Sequence, residues 1–108
     1  MTTFDGREKA FEDKFAHDES MMFKARARRN RLLGEWLAGE MGLSGDAVAT
    51  YAKEVVKSDL EEDGDEDVIR KVMADIEGKG LDISRHRIEK HLEEMMDEAR
   101  RQIMAEVK

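Results

Sequence analysis

The chain has 108 residues, about the size of one domain, and it contains no Cys and no Pro. Its 19 Lys and Arg residues against 26 Asp and Glu residues give a net charge of -7. The missing Cys excludes disulfides, thiolate chemistry and a Cys-ligated zinc site. The acidic balance argues against a general nucleic-acid-binding protein, which would carry a basic excess.

Large apolar residues are scarce and unevenly placed. Leu, Ile, Val and Phe total 22 residues, close to the roughly 20% below which highly charged chains tend not to fold. All four Phe lie within the first 23 residues, whereas the aliphatic residues become frequent only from Leu32. No segment approaches the roughly 20 apolar residues of a membrane span, and the start lacks a signal-peptide core. We expect a cytoplasmic protein without direct membrane insertion, in which an N-terminal segment and a folded body have different roles.

The N-terminal segment, residues 1–18, carries a stripe of aromatic residues. Phe4, Phe11 and Phe15 are spaced by seven and four, so a helix would align them on one side. Because an isolated helix of this length is marginal in water, the pattern predicts a mobile segment that becomes helical on binding. Aromatic residues on such a helix are typical of a ligand for a partner's groove. The alternative is that the segment folds back onto the body as extra core.

The first half of the body predicts two amphipathic helices. Apolar residues recur at spacings of three and four from about Glu19 to Met41, and Gly42 is placed to end that helix as a left-handed C-cap. Ser44 is then expected to be the N-cap of the second helix, with a hydrophobic staple beside it. The stripe of this second helix consists of Val48, Tyr51, Ala52, Val55, Val56 and Leu60.

The second half predicts two more helices. The third begins near Asp65 and ends at Gly78 and Gly80, and the fourth begins after Ser84 as its N-cap. Because amphipathic helices joined by short turns bury their stripes against each other, we expect an all-α fold, a small antiparallel four-helix bundle over residues 19–108. The stripes are Ile69, Val72, Met73 and Ile76 in the third helix, and Ile88, Leu92, Met95, Met96, Ala99, Ile103 and Val107 in the fourth.

No pattern indicates a metal site or a catalytic site. The acidic stretch 59–67 lacks the ligand spacing of a calcium loop and is interpreted as the acidic start of the third helix. His86 and His91 are five residues apart and would point in different directions on a helix, and we expect both, like His17, at the solvated surface. Without a nucleophile motif or a Gly-rich phosphate loop, the chain is not expected to be an enzyme.

A basic run interrupts the acidic chain at the start of the first helix. It contributes +5 within eight residues of a chain that is otherwise -12. It is interpreted as a solvated surface that balances acidic neighbours, as an anion or nucleotide-phosphate site, or as a docking surface for an acidic partner. The second interpretation describes a nucleotide- or anion-sensing adaptor with weak ATP or ADP binding and no required cofactor. The run consists of Lys24, Arg26, Arg28, Arg29 and Arg31.

Several sequence blocks together resemble one family. The blocks are MTTFDGREKAFEDKFAHDE at the start, FKARARRNRLLGEW from residue 23, MGLSG from residue 41, YAKEVV from residue 51 and GDEDVIRKV from residue 64. In this order they resemble the alphaproteobacterial zeta subunits, inhibitors of the F-type ATP synthase. Gly6 stands where the resemblance implies an acidic residue, and Ile69 stands where an aromatic residue is usual.

The resemblance implies a partner and an inhibitory site. It implies a four-helix bundle whose mobile N-terminal region enters the catalytic head between the α and β subunits, near the central rotor, and blocks ATP hydrolysis. Carried onto this sequence, the inhibitory contacts would be Phe4, Arg7, Phe11, Lys14 and Phe15. The resemblance also implies that the protein lies peripheral to the inner membrane, through the ATP synthase.

Overall fold

The computed structural model describes residues 19–59 and 64–106. The predicted mobile segment 1–18 lies outside the described residues. Within the described ranges the secondary structure consists of four α-helices. Helix α1 spans Glu19–Glu40, α2 spans Asp46–Ser58, α3 spans Glu66–Gly78 and α4 spans Arg85–Glu106. None of these four helices is both long and apolar enough to cross a membrane.

Helix α1 is the centre of the arrangement and packs along both α2 and α4. The start of α1 lies beside the ends of the other two helices, since Arg26 contacts Asp59 just after α2 and Arg28 contacts Glu106 in the last turn of α4. Both pairs of helices are therefore antiparallel. The predicted all-α four-helix fold is confirmed for the described part of the chain.

Glycines end α1 and α3 as the sequence predicts. After α1, Gly42 has a φ of 81° and the amide of Leu43 donates to the carbonyl of Ala38 at 2.9 Å. This is the Schellman arrangement, in which a left-handed residue lets the next amide bond the last turn of the helix. Gly80, with a φ of 68°, repeats it after α3.

The two predicted serine N-caps have different outcomes. The Ser84 hydroxyl accepts a hydrogen bond from the Arg87 amide at 3.2 Å, which confirms it as the cap of α4. The prediction for Ser44 is wrong, because α2 begins at Asp46 with Gly45 as its N-cap and without a side-chain cap bond. The positive φ of Gly45, 58°, places Ser44 one residue outside the first turn.

The apolar residues form two clusters along α1. The smaller cluster contains Met21, Ala25 and Ile103, with Met22 and Met96 packed against it. The predicted stripes supply most members of both clusters, whereas Met21, Ala38, Val68 and Ile83 belong to no predicted stripe. Leu60 and Val107 of the predicted stripes lie outside the described residues. The larger cluster consists of Leu33, Leu37, Ala38, Tyr51, Val55, Val68, Ile69, Val72, Ile76, Ile83, Ile88 and Leu92.

Tyr51 gives the fold a test at high pH. Its hydroxyl donates to the Asp75 carboxylate at 2.8 Å, and burial, reinforced by this carboxylate, raises the pKa of Tyr51 far above its ordinary value. The unfolded chain releases the phenol proton near pH ~10, whereas the folded chain retains it. Stability is therefore fully present below about pH 10 and falls as the pH rises further.

Because Tyr51 is the single tyrosine of the chain, tyrosinate absorbance reports on it alone. We expect this absorbance to appear together with the loss of helical circular dichroism during an alkaline titration. Reversible ionisation near pH ~10 with intact helices would contradict the buried hydrogen bond.

Candidate functional site

The two predicted sites differ in what the structure describes. The inhibitory contacts Phe4, Arg7, Phe11, Lys14 and Phe15 lie outside the described residues, so their roles stay predictions. The basic run lies entirely within α1. Its five side chains have three different environments: Arg29 is buried, Arg26 and Arg28 are partly buried, and the other two are exposed.

Arg29 is buried inside the bundle. Ala25, Arg29 and Leu33 follow one another at intervals of four, so Arg29 lies on the side of α1 that faces the core. Arg29 is only 4% exposed. Its guanidinium lies 2.9 Å from a carboxylate oxygen of Asp65 and 3.7 Å from one of Asp59. Buried charges need such partners, because an unpaired charge in a low dielectric is strongly unfavourable.

Asp59 joins several groups of α1 to the end of α2. Its carboxylate accepts a hydrogen bond from the amide of fully buried Asn30 at 2.9 Å and another from Arg26 at 3.2 Å. The Asp59 side chain is only 6% exposed. Together with Arg29 and Asp65, these residues form a polar layer, which lies between the two apolar clusters along α1.

Arg28 ties α1 to the end of α4. It donates to the Glu106 carboxylate through two nitrogens, at 2.7 Å and 3.0 Å, and to the side-chain oxygen of Gln102 at 2.8 Å. The hydrogen bond from Arg28 lowers the pKa of Glu106 below its ordinary value. A bidentate pair of this kind fixes geometry as well as charge.

Lys24 and Arg31 remain on the outer surface of α1. Lys24 is exposed and forms no ion pair with another described residue. Arg31 is half-exposed and lies 3.8 Å from Glu35 one turn later. The balancing interpretation therefore fits Arg26 and Arg28, which pair with acidic residues, but its solvated surface is wrong for Arg29, which is paired and buried. An anion or nucleotide site stays a prediction, in which Lys24 and Arg31 are the cations of the run with the fewest partners among the described residues.

A groove lies between α1 and α2. The two helices approach closely at Gly34, where a Cβ atom would lie 2.7 Å from the Cα of Ala52. The groove has a volume of about 400 Å³. We call it the α1–α2 groove, and its lining consists of Arg31, Glu35, Ala49, Ala52, Lys53, Val56 and Lys57.

The histidines differ from one another. His86 is exposed, as expected, and His17 lies outside the described residues. The expectation of a solvated surface is wrong for His91, which is half-buried with its ring centroid 4.0 Å from that of Trp36. Contact with the large Trp36 ring removes part of the His91 imidazole from water, which favours this half-buried position over an exposed one.

Neither the polar layer nor the α1–α2 groove is among the sites predicted from the sequence. The sequence does contain one signal for the polar layer. Ala25, Arg29 and Leu33 are each four residues apart, so they lie on the same side of a helix, and this spacing predicts that Arg29 is buried. That charge requires an acidic partner, and the acidic stretch that begins at Asp59 supplies it. The groove has no comparable signal, because it depends on how closely two helices approach at Gly34.

Comparison with known proteins identifies the family. The family model described as ATPase inhibitor subunit zeta matches residues 1–102. A solution NMR structure of a protein is 48% identical, with a TM-score of 0.71, and the match covers 80% of this chain and 98% of that one. No curated protein matches the chain. Because the family model spans nearly the whole sequence, the chain belongs to the family of ATPase inhibitor zeta subunits.

Proposed function

We propose that this inhibitor acts by inserting residues 1–18 into the catalytic head of the F-type ATP synthase. The segment becomes helical as its Phe side chains enter an apolar groove at a catalytic α/β interface, and the wedged helix blocks the central rotor and thus ATP hydrolysis. The observation that carries this proposal is the family match, which begins at residue 1 and therefore includes the Phe-striped segment.

The composition of the body supports this division of labour. Among the described residues, α1 to α4 bury two apolar clusters against one another, from Met21 to Ile103, so the body has a core of its own. In the proposed mechanism, Phe4, Phe11 and Phe15 contact the partner rather than this core. Ordering the segment costs conformational entropy, which lowers its affinity and permits release.

The bundle would hold the inhibitory segment, residues 1–18, near its target. A bundle that contacts the head keeps the attached segment nearby and raises its effective concentration at the catalytic interface. The proposed location follows from the partner: the protein acts in the cytoplasm, peripheral to the inner membrane through the ATP synthase. Inhibition would conserve ATP when the proton-motive force falls.

A pair of Phe substitutions tests the role of the stripe. We expect Phe15→Ser to weaken inhibition of ATP hydrolysis by the purified catalytic head about 10- to 100-fold, because a buried Phe contributes about 1.5–3 kcal/mol. The measurement is the inhibitor concentration that halves the hydrolysis rate.

Phe23→Ser is the matched control for this experiment. Phe23 is 60% exposed on α1 and belongs to neither apolar cluster. We expect this substitution to leave inhibition within about threefold of the unmodified protein, a change of under 1 kcal/mol. Equal losses in the two variants, or no loss in either, would contradict a contact specific to the Phe stripe.

A further inference from the structure

We propose that the α1–α2 groove is an internal docking site for residues 1–18, which rest there while the inhibitor is free of its target. A Phe side chain of the segment would cover the apolar floor, and carboxylates of the segment would lie beside the cationic rim. This inference goes beyond inhibition itself, because it assigns a second surface, on the inhibitor's own body, to the same segment.

The floor of the groove is apolar, with Ala49 exposed, Val56 half-buried and Ala52 buried. Ala49 and Ala52 have small side chains, and Val56 is half-buried, so they leave a concave surface at the helix crossing. A volume of about 400 Å³ gives room for an aromatic side chain. Grooves between helices that expose apolar side chains are typical docking sites for one face of an amphipathic helix.

The rim carries a positive charge within an acidic protein. Arg31, Lys53 and Lys57 line the groove together with a single carboxylate, Glu35. Lys53 and Lys57 are exposed and form no ion pair with another described residue. Residues 1–18 carry five carboxylates against three Lys and Arg side chains. Opposite charges of this kind steer and orient an encounter.

Two other hollows on the described surface lack the excess of cationic side chains that lines the α1–α2 groove. A hollow at α3 and α4 is lined by Asp65, Glu66, Glu89 and Glu93 as well as Arg29, and would repel an acidic segment. A hollow at α2 and α3 combines Glu54 and Asp75 with Lys79. Charge complementarity therefore favours the α1–α2 groove among these three.

The length of the segment is sufficient for it to reach the groove. Arg31 follows Glu19 by twelve residues, a distance of about 18 Å along α1. Eighteen residues span about 27 Å even when fully helical, so a reversal of the chain near residue 18 places the Phe stripe alongside α1. Lys24, Ala27 and Arg31 lie on one side of α1 and connect its start to the groove.

Docking would regulate how much of the inhibitor has residues 1–18 free to enter the catalytic head. A segment that occupies the groove cannot occupy the catalytic interface at the same moment, so the two sites compete for it. This consequence rests on the proposed function, whereas the docking itself is a property of the free inhibitor. The docking is therefore tested without the ATP synthase.

The absence of Cys permits one specific label. We would introduce Thr3→Cys in the full chain, attach a nitroxide spin label and record paramagnetic broadening of the backbone amide signals. The expected result is strong broadening at Ala49, Ala52 and Lys53, with little effect on the exposed side of α4. A second sample mixes spin-labelled protein without isotope enrichment and isotope-enriched protein without a spin label. Broadening in this mixed sample can arise only from contacts between copies, so it separates them from contacts within one chain.

Charge reversal supplies the matched comparison. Lys53→Glu combined with Lys57→Glu should lower the ratio of docked to free segment at least about fivefold, the effect of removing two exposed ion pairs. Lys79→Glu combined with Lys90→Glu changes the net charge equally at exposed positions outside the groove and should leave the broadening unchanged.

Three results would overturn the proposal. Broadening confined to the first turns of α1 would show that the segment does not dock. Broadening in the mixed sample would identify a second copy as the occupant. Equal broadening in both charge-reversed pairs would show that the rim plays no part. None of these results bears on inhibition of the catalytic head, so failure here leaves the proposed function intact.

Discussion

Replacing Asp59 by Ala is expected to lower the free energy of unfolding by about 3 kcal/mol, within the range for breaking a buried ion pair. The Asp59 carboxylate accepts hydrogen bonds from buried Asn30 and from Arg26, and it lies 3.7 Å from Arg29. Its removal leaves the Asn30 amide without this acceptor inside the bundle and leaves Arg29 with Asp65 as its remaining carboxylate. A loss of this size is a large share of the roughly 5–15 kcal/mol that stabilises a typical domain.

Urea unfolding followed by circular dichroism measures the effect of Asp59→Ala. Glu89→Ala serves as the control, because Glu89 pairs with Arg85 at the exposed surface, where an ion pair contributes about 0–1 kcal/mol. Asp59→Asn replaces the carboxylate with a neutral amide that keeps one hydrogen-bond-accepting oxygen. Its loss of stability should therefore lie between the losses for Asp59→Ala and Glu89→Ala. Similar losses for Asp59→Ala and Glu89→Ala would show that the polar layer does not stabilise the fold.

Gly34→Ala and Gly39→Ala are expected to have opposite effects, although both lie within α1. A Cβ at Gly34 would lie 2.7 Å from the Cα of Ala52 and 3.2 Å from a methyl carbon of Val55, so α1 and α2 must separate. We expect a net loss of about 1–3 kcal/mol, since overpacking of this kind outweighs the gain in helix propensity. Gly39 has no such neighbour within 4 Å, and Ala there should stabilise by about 0.5–1 kcal/mol.

The comparison of the two glycine variants separates helix propensity from packing. Thermal unfolding of both, under the same conditions as the unmodified protein, gives the sign of each change. Stabilisation by Gly34→Ala would contradict the close approach of α1 and α2. Because this approach also shapes the α1–α2 groove, the same variant should disturb the docking surface, whereas Gly39→Ala should not.

Local signals in the sequence predict the helices well. Gly42 and Gly80 end α1 and α3 because a left-handed residue closes a helix through hydrogen bonds to its own last turn. Ser84 caps α4 for a similarly local reason. Ser44 fails as a cap because the backbone of Gly45 takes a positive φ and delays the start of α2. The choice between adjacent cap positions depends on the geometry of the whole turn.

The candidate site is less predictable because it depends on tertiary packing. A run of five cations on one helix indicates a surface. Arg29 is nevertheless buried, Arg26 binds the carboxylate that follows α2, and Arg28 binds a carboxylate of α4. The helical period separates Arg26 and Arg29 from Lys24, Arg28 and Arg31, but it does not specify which acidic residue approaches each one. The groove at Ala49 and Ala52 likewise depends on the distance between two helices.

In the proposed mechanism, residues 1–18 inhibit the enzyme and residues 19–108 hold them in position. The most direct test compares ATP hydrolysis by the purified catalytic head with full-length protein and with protein that lacks residues 1–18. The shortened chain retains every described side chain of both apolar clusters, and circular dichroism verifies its helices. We expect strong inhibition by the full chain and none by the shortened one. Equal inhibition by both, or none by either, would contradict the proposed mechanism.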